Sequence, residues 1–525
     1  MRRSGTDCAL YADSRRDDRQ QVARQLFAAA RAATIETRDV LVFCVTYRTA
    51  KGPWRRYDAL HDASQTFTRC RTGNLEGIQG MKRTCSWLTY LLVGASISLV
   101  WAVTMLNPAH LNWSPWAYSE WLISYDAGFI RRGIGGWLIR LIDGDGADLA
   151  TVNLVVFANY AMLSLLMVWV WARSRERSPA ALALAFLVPG GLFQMAIGNA
   201  FFFRKEIVFH VVLGIDCLLY SMIVGLTVMP RRLRAARWLA AFFLVQAVAL
   251  PLLHESYAFI SFPAAWLIAR RLAAMFPAQA AFARVVKVSI ALQVVMFLIC
   301  AAFKGNPDIA SQLWHMLAPA DRSLISPRTP TVPGGGISAI GWSTVFNLSG
   351  VAYLLMAGQF WVWAFAGFGI ASILVLVTLW NGRGYGLAHE EMLRRHLAQL
   401  GFLFVASLPM YLLGIDWGRW LSSVSISYLL LFFVDGPAAI TVPQLKHLVP
   451  RNVRARIADA FVATPIDVMR GIVASAARHR RALFLLALFF CLTFRAPECC
   501  ITVGSPFYRL KPMVERILNP VAQGQ

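Results

Sequence analysis

Apolar runs of membrane length alternate along most of this chain with short polar connections that carry most of its charge. The hydrocarbon core of a bilayer is crossed by about 20 consecutive apolar residues in a helix, and the pattern predicts about eleven such spans. They fall at 87–106, 151–172, 179–197, 207–229, 238–253, 256–275, 287–303, 355–380, 397–413, 420–436 and 482–494. The fifth, ninth and last are short, and a split near 338–380 would change the count. The fold class that follows is all-α, a polytopic transmembrane helical bundle. No internal repeat is visible.

The remaining segments differ in kind. Residues 1–80 are polar and mixed in charge, and their one apolar run, "VLVFCVTY", is too short to span. Met81, Lys82 and Arg83 directly precede the first long apolar run and read as the beginning of a membrane protein. We therefore expect 1–80 to be a start-site extension or a disordered cytoplasmic tail, and 81–495 to be the transmembrane domain. Segment 304–347 is rich in Pro and Gly and reads as a long, mobile outer loop. Segment 437–481 carries basic amphipathic stretches, expected to lie on the anionic leaflet as a cytoplasmic connection. Residues 496–525 form a short tail.

Composition narrows the partners. The chain is 57% hydrophobic and only 15% charged, against about a quarter charged in soluble domains. Its net charge of +23 therefore reads as arginine-rich membrane loops rather than a nucleic-acid surface, and no aromatic–basic motif argues otherwise. With the N-terminus inside, one side collects Arg173, Arg175 and Arg177, then Arg231, Arg232, Arg234 and Arg237, then Arg270, Arg271, Arg284 and Lys287. Arg394, Arg395 and the arginines of 451–481 follow on the same side. The positive-inside rule makes that side cytoplasmic. The implied location is a bacterial inner membrane, with the C-terminus periplasmic. None of the nine cysteines forms a CxxC pair, and His254-Glu255 lacks the second histidine of a zincin motif. No metal or other cofactor is expected.

A smaller set of charges falls on the outer side. "SYDAGFIRRGIGG" contributes Asp126, Arg131 and Arg132 after the first span; "NAFFFRKEIVFH" contributes Arg204, Lys205 and Glu206. Two tight turns add His254 with Glu255 ("PLLHESYAF") and Asp416 with Arg419 ("GIDWGRW"). A two-helix turn needs only Gly, Asn or Ser, whereas unpaired ionisable groups at span ends are costly. Separate helix-end locks would explain any one pair. Four such groups on one face point to a shared polar pocket. The flanks of Asp126 are apolar and Trp-rich, as in a helix lying in the interface, and the glycines allow backbone and substrate to approach closely.

Arginine grips phosphate with two parallel hydrogen bonds and keeps its charge, and an ionised carboxylate can accept a proton. Arginines and an acid at a membrane edge suit transfer from a lipid phosphate, whose developing charge the arginines would stabilise. In this layout the chain resembles GT-C-type membrane glycosyltransferases, from 82 to about 436. The resemblance lies in the order of elements, and the chain lacks a paired acid beside Asp126. It implies a sugar moved from a polyprenyl-phosphate donor to an envelope glycan or lipid acceptor. Asp126 would be the base, with Arg131, Arg132, Arg204 and Arg419 as phosphate ligands; Lys205, His254, Glu255 and Asp416 would complete the substrate-binding set.

Three other readings stay open. Asp216, mid-span in "HVVLGIDCLLYSMIVG", with His210 before it, fits a transporter or flippase that couples to ions or protons. Lys304, His315, Arg322 and Arg328 in the outer loop fit a polysaccharide polymerase of the O-antigen type. A non-enzymatic assembly subunit would tolerate neutral replacement of the pocket residues.

Overall fold

The computed structural model describes residues 115–143, 149–174, 179–189, 204–358, 360–381, 386–434 and 479–494, with isolated positions elsewhere. The chain divides into Met1–Arg83 and Thr84–Gln525, and the described residues lie in the second unit. The 1–80 extension, most of the 87–106 span, the end of the 179–197 span, nearly all of the 437–481 connection and the 496–525 tail lie outside the described residues.

Among the described residues the regular elements are helices, with no strand. Seven are long and apolar enough to cross a membrane: Ala150–Arg173, Glu206–Gly225, Met229–Leu253, Ala280–Ala302, Phe360–Thr378, Arg395–Leu413 and Trp417–Val434. An eighth is reached if Gly335–Gly341 and Val345–Met356, bent by 114°, form one broken span. The protein is a membrane protein of many apolar helices. Its centre is the Trp417–Val434 helix, whose 18-residue window is 94% buried. That helix packs on Glu206–Gly225, Gly386–Leu413, Phe360–Asn381 and Leu149–Arg173. Its serines turn inward, and Ser422 and Ser425 donate to the carbonyls of Gly418 and Leu421 at 2.9 and 2.8 Å. Donation to the carbonyl four residues back satisfies a buried hydroxyl without a partner helix. Ala280–Ala302 lies at the other extreme, with Val294, Val295 and Leu298 exposed, as suits a lipid-facing helix.

Several elements differ from the sequence pattern for local reasons. The 256–275 run is broken into Tyr257–Ile260 and Phe262–Met275, and Pro263 sits in the first turn of the second. The 355–380 run is two helices, Thr344–Met356 and Phe360–Asn381. Between them Gly358 adopts φ +70°, a left-handed conformation that stops a helix and favours glycine. The 238–253 run extends back to Met229, so that Arg231, Arg232, Arg234 and Arg237 ride its first turns.

The 304–347 segment, expected as a mobile loop, instead folds into helices at Pro307–Met316, Pro319–Ile325 and Gly335–Ser338. Pro307 and Pro319 occupy first-turn positions, where proline starts a helix. The Asn306 side chain caps the first by accepting from Ile309 N at 2.8 Å. Trp314 is fully buried, and its Nε1 donates to Pro330 O at 2.8 Å. Gly336 N donates to Ser119 Oγ at 2.7 Å, tying the segment to the short helix Pro115–Trp121.

Candidate functional site

One end of the bundle holds a buried network of charges. The Pro115–Trp121 helix presents Glu120, which has no exposed surface. The loop after it carries Arg131 and Arg132, and Arg204 and Lys205 precede the Glu206–Gly225 helix. His254 and Glu255 follow the Met229–Leu253 helix, and Asp416 precedes Trp417–Val434. Helix ends from distant parts of the chain thus deliver their polar groups to a single place. The basic first turns of Met229–Leu253 lie at the opposite end of that helix.

Glu120 is the centre of the network. Its Oε1 lies 2.9 Å from Arg132 Nη1 and 3.2 Å from His254 Nε2, and its Oε2 lies 3.0 Å from Arg204 Nε. Glu206 sits 3.2 Å from Arg419 Nη1, with His254 and Arg204 at 3.7 and 3.9 Å. Asp416 pairs with Arg419 at 2.7 Å. Glu255 is gripped by two arginines: Arg131 Nη1 at 3.0 Å, Arg132 Nε at 2.9 Å and a further contact from Arg132 Nη2. This two-pronged arginine–carboxylate geometry is the strong form of the ion pair.

The charges set one another's protonation. Burial alone would raise the carboxyl of Glu120, but Arg204, His254 and Arg132 hold it well below its ordinary value. Glu255 is likewise held low against burial by Arg132, Arg131 and His254. His254 is pushed down by burial and by Arg132. Its Nδ1 accepts from Ser256 N at 3.1 Å, so the neutral ring carries its proton on Nε2, facing Glu120. Lys205 is fully buried, and burial brings it down to about 7. Four carboxylates (Glu120, Glu206, Glu255, Asp416) therefore meet four guanidinium groups (Arg131, Arg132, Arg204, Arg419), with Lys205 poised near neutrality.

The turn that carries the arginine pair is strapped in place. Arg132 is the one non-glycine residue at positive φ (68°) among the described residues. Such a backbone persists where surrounding contacts over-determine it, commonly at functional sites. Lys205 Nζ donates to Arg132 O at 2.8 Å, and Arg131 N donates to Phe303 O at 2.8 Å. Gly136 lets the following helix close on the Ile123 carbonyl, where a Cβ would collide. The nearest neighbours of Gly135 and Gly136 are protein atoms of the fold, so close packing, and not only substrate approach, requires these glycines.

The structure brings together Arg131, Arg132, Arg204, Lys205, His254, Glu255, Asp416 and Arg419. Asp126 stands apart from their ion pairs. It pairs with Arg140 at 2.8 Å, accepts from Ser124 and keeps 30% of its side-chain surface. His210 is buried one turn beyond Glu206, and its Nδ1 has no hydrogen-bond partner among the described residues. With Tyr160, Arg204, Glu206, Arg419 and Ser423 it lines a narrow cavity that has room for roughly one water molecule. Asp216 is deeper in the bundle, where Gln246 Nε2 donates to it at 2.7 Å and Tyr257 OH donates to Gln246 at 3.2 Å. Among the described residues no group of His, Cys, Asp or Glu has the arrangement of a metal site. Of the loop residues, Arg322 lies 3.5 Å from His315 Nδ1 on the exposed surface. Glu120 is the site residue that the sequence pattern does not single out; its signal is a lone acid among the aromatic residues of "PWAYSEW".

The chain is similar to one protein family, described as uncharacterised membrane protein Rv1490, over residues 86–324. That range contains Glu120, Arg131, Arg132, Arg204, Lys205, Glu206, His254 and Glu255, but not Asp416 or Arg419. No curated protein and no solved structure matches the chain.

Proposed function

We propose that the protein is a membrane glycosyltransferase that moves a sugar from a polyprenyl-phosphate donor to an envelope glycan or lipid acceptor. The carrying observation is the convergence of four guanidinium groups at one end of an apolar bundle, with Arg131 and Arg132 retaining 21% and 17% side-chain exposure. The arginine-rich loops gather at the other end, which the positive-inside rule would make cytoplasmic. The charge network then faces the outer side of a bacterial inner membrane. The Gly133–Asp143 helix exposes Leu138, Leu141 and Ile142 beside it, a face suited to the lipid boundary and to a donor whose tail remains in the bilayer.

In this reading Asp126 is the proton acceptor. It shares a loop with the arginine pair, lies 2.8 Å from Arg140 and keeps 30% of its side-chain surface open to an incoming hydroxyl. The acceptor hydroxyl gives its proton to Asp126, and its oxygen bonds to the anomeric carbon of the sugar. The bond from that carbon to the phosphate oxygen breaks, and the electron pair leaves with the lipid phosphate. Arg131 and Arg132 hold that anion as its charge develops.

A second reading is supported by the Asp216–Gln246–Tyr257 chain inside the bundle, since an acid within a span is a hypothesis of ion or proton coupling. One experiment separates the two. Envelope glycans and lipid-linked sugars are profiled in a deletion strain and in the same strain restored with wild type, Asp126→Asn or Asp216→Asn, at equal membrane abundance. Transferase activity predicts one missing sugar, an accumulated lipid-linked precursor and no rescue by Asp126→Asn. Full rescue by Asp126→Asn with failure of Asp216→Asn would reject the transferase reading in favour of transport.

A further inference from the structure

The balance of the network constrains how a phosphate could enter it. Every guanidinium group already faces a carboxylate, and the numbers are equal. An added anion therefore takes the place of one of these acids, holds a proton on the buried Lys205, or remains in excess charge within a poorly solvated site. The four acids are not equally displaceable. Glu120 and Glu206 have 0% and 4% side-chain exposure, so neither acid reaches the surface, although Arg132 beside Glu120 is 17% exposed. Asp416 is 16% exposed, but Arg419 and Arg204, which it faces, are only 4% and 5% exposed. Only at Glu255 do both sides of the ion pair reach the surface: the acid at 14%, Arg131 at 21% and Arg132 at 17%.

The geometry points to Glu255 as the resident anion of a phosphate subsite: its carboxylate occupies the fork of Arg131 and Arg132 that the phosphate of a lipid-borne substrate takes by displacing it. The inference rests on the reading that this end of the bundle handles a lipid phosphate, and it adds the residue that governs entry. Three features support it. The carboxylate oxygens of Glu255 receive Nη1 of Arg131 and both Nε and Nη2 of Arg132, the pattern of donors that guanidinium groups offer to phosphate. The fork does not depend on Glu255 for its position, because Arg132 is also held by Glu120, by the Lys205 bond to its carbonyl and by its own left-handed backbone. Glu255 also lies in the short connection between the Met229–Leu253 and Tyr257–Ile260 helices, so it can swing aside without moving a span.

The consequence is opposite to that of an ordinary binding residue: removing the charge of Glu255 strengthens binding. The test is direct titration of the full-length protein in lipid nanodiscs with farnesyl phosphate and, separately, with inorganic phosphate. The proteins are wild type, Glu255→Gln, Glu255→Asp and Arg132→Gln. We expect Glu255→Gln to bind farnesyl phosphate about tenfold or more tightly than wild type, Glu255→Asp to lie between them, and Arg132→Gln to lose binding. Equal or weaker binding by Glu255→Gln and Glu255→Asp, with loss in Arg132→Gln, overturns the displacement and leaves the phosphate reading standing. Absence of binding in wild type and all variants overturns both. Equal tightening toward inorganic phosphate supports displacement and assigns the subsite to phosphate without a lipid requirement.

Discussion

Replacing Glu120 with Gln tests the network at its most connected point. The side chain is fully buried and faces Arg132, Arg204 and His254 at 2.9, 3.0 and 3.2 Å. Removing one member of a buried ion pair costs about 3–5 kcal/mol, because the partner charge is left uncompensated. Arg132 would retain Glu255 at close range, whereas Asp416 and Glu206 lie 3.9 Å from Arg204. Since one of the two arginines keeps a close partner, we place the loss near the lower bound, about 3 kcal/mol. The assay is thermal unfolding of the purified full chain in one detergent, followed by loss of the monomer peak at a fixed heating rate. Glu120→Gln should melt well below wild type, and the double variant Glu120→Gln with Arg204→Gln should lose less than the sum of the two single variants, as coupled charges require. A Glu120→Gln variant within about 0.5 kcal/mol of wild type, or strict additivity in the double variant, would refute Glu120 as the charge centre.

Three further outcomes follow from the same geometry. Asp126→Asn should abolish sugar transfer while altering stability by less than about 1 kcal/mol, because the Asp126–Arg140 pair is partly exposed; a large drop in melting temperature would make Asp126 structural. Lys205, brought down to about 7 by burial, binds fewer protons folded than unfolded between about pH 7 and its ordinary value near 10.4. Stability should therefore rise with pH across that window, and a melting series from pH 6.5 to 9 should show a steeper rise in wild type than in Lys205→Met. Trp314→Ala removes a fully buried ring and its bond to Pro330, which should cost about 3–5 kcal/mol and increase protease cleavage within 304–347; unchanged cleavage would contradict a folded segment.

The parts legible in the sequence were those with a one-dimensional signal. Long apolar runs marked the Ala150–Arg173, Glu206–Gly225 and Ala280–Ala302 helices, because length and hydropathy alone make a span. Charge in turns that do not need it marks His254, Glu255, Asp416 and Arg419 as one group from the sequence alone. What escaped depends on contacts or backbone shape. Pro307 and Pro319 look like breakers in a Gly-rich run, yet each begins a helix that packs through Trp314. Gly358 gives no advance notice of its left-handed conformation within a continuous apolar run. Glu120 was hidden by its aromatic setting, and its importance comes from partners 12, 84 and 134 positions away in the chain. Asp126 carries the opposite lesson: its place beside the arginines in sequence does not put it in their ion pairs, since its side chain turns to Arg140.

The central claim, transfer of a sugar from a lipid phosphate, is tested most directly by reconstitution. Purified protein in vesicles is given the lipid extract of the deletion strain and its sugar-deficient envelope acceptor, and lipid species are followed by mass spectrometry. The account predicts that the lipid-linked sugar falls as free polyprenyl phosphate and glycosylated acceptor rise in equal amounts, and that Asp126→Asn abolishes all three changes. A lipid-linked sugar that remains chemically intact while crossing from one leaflet to the other would contradict it.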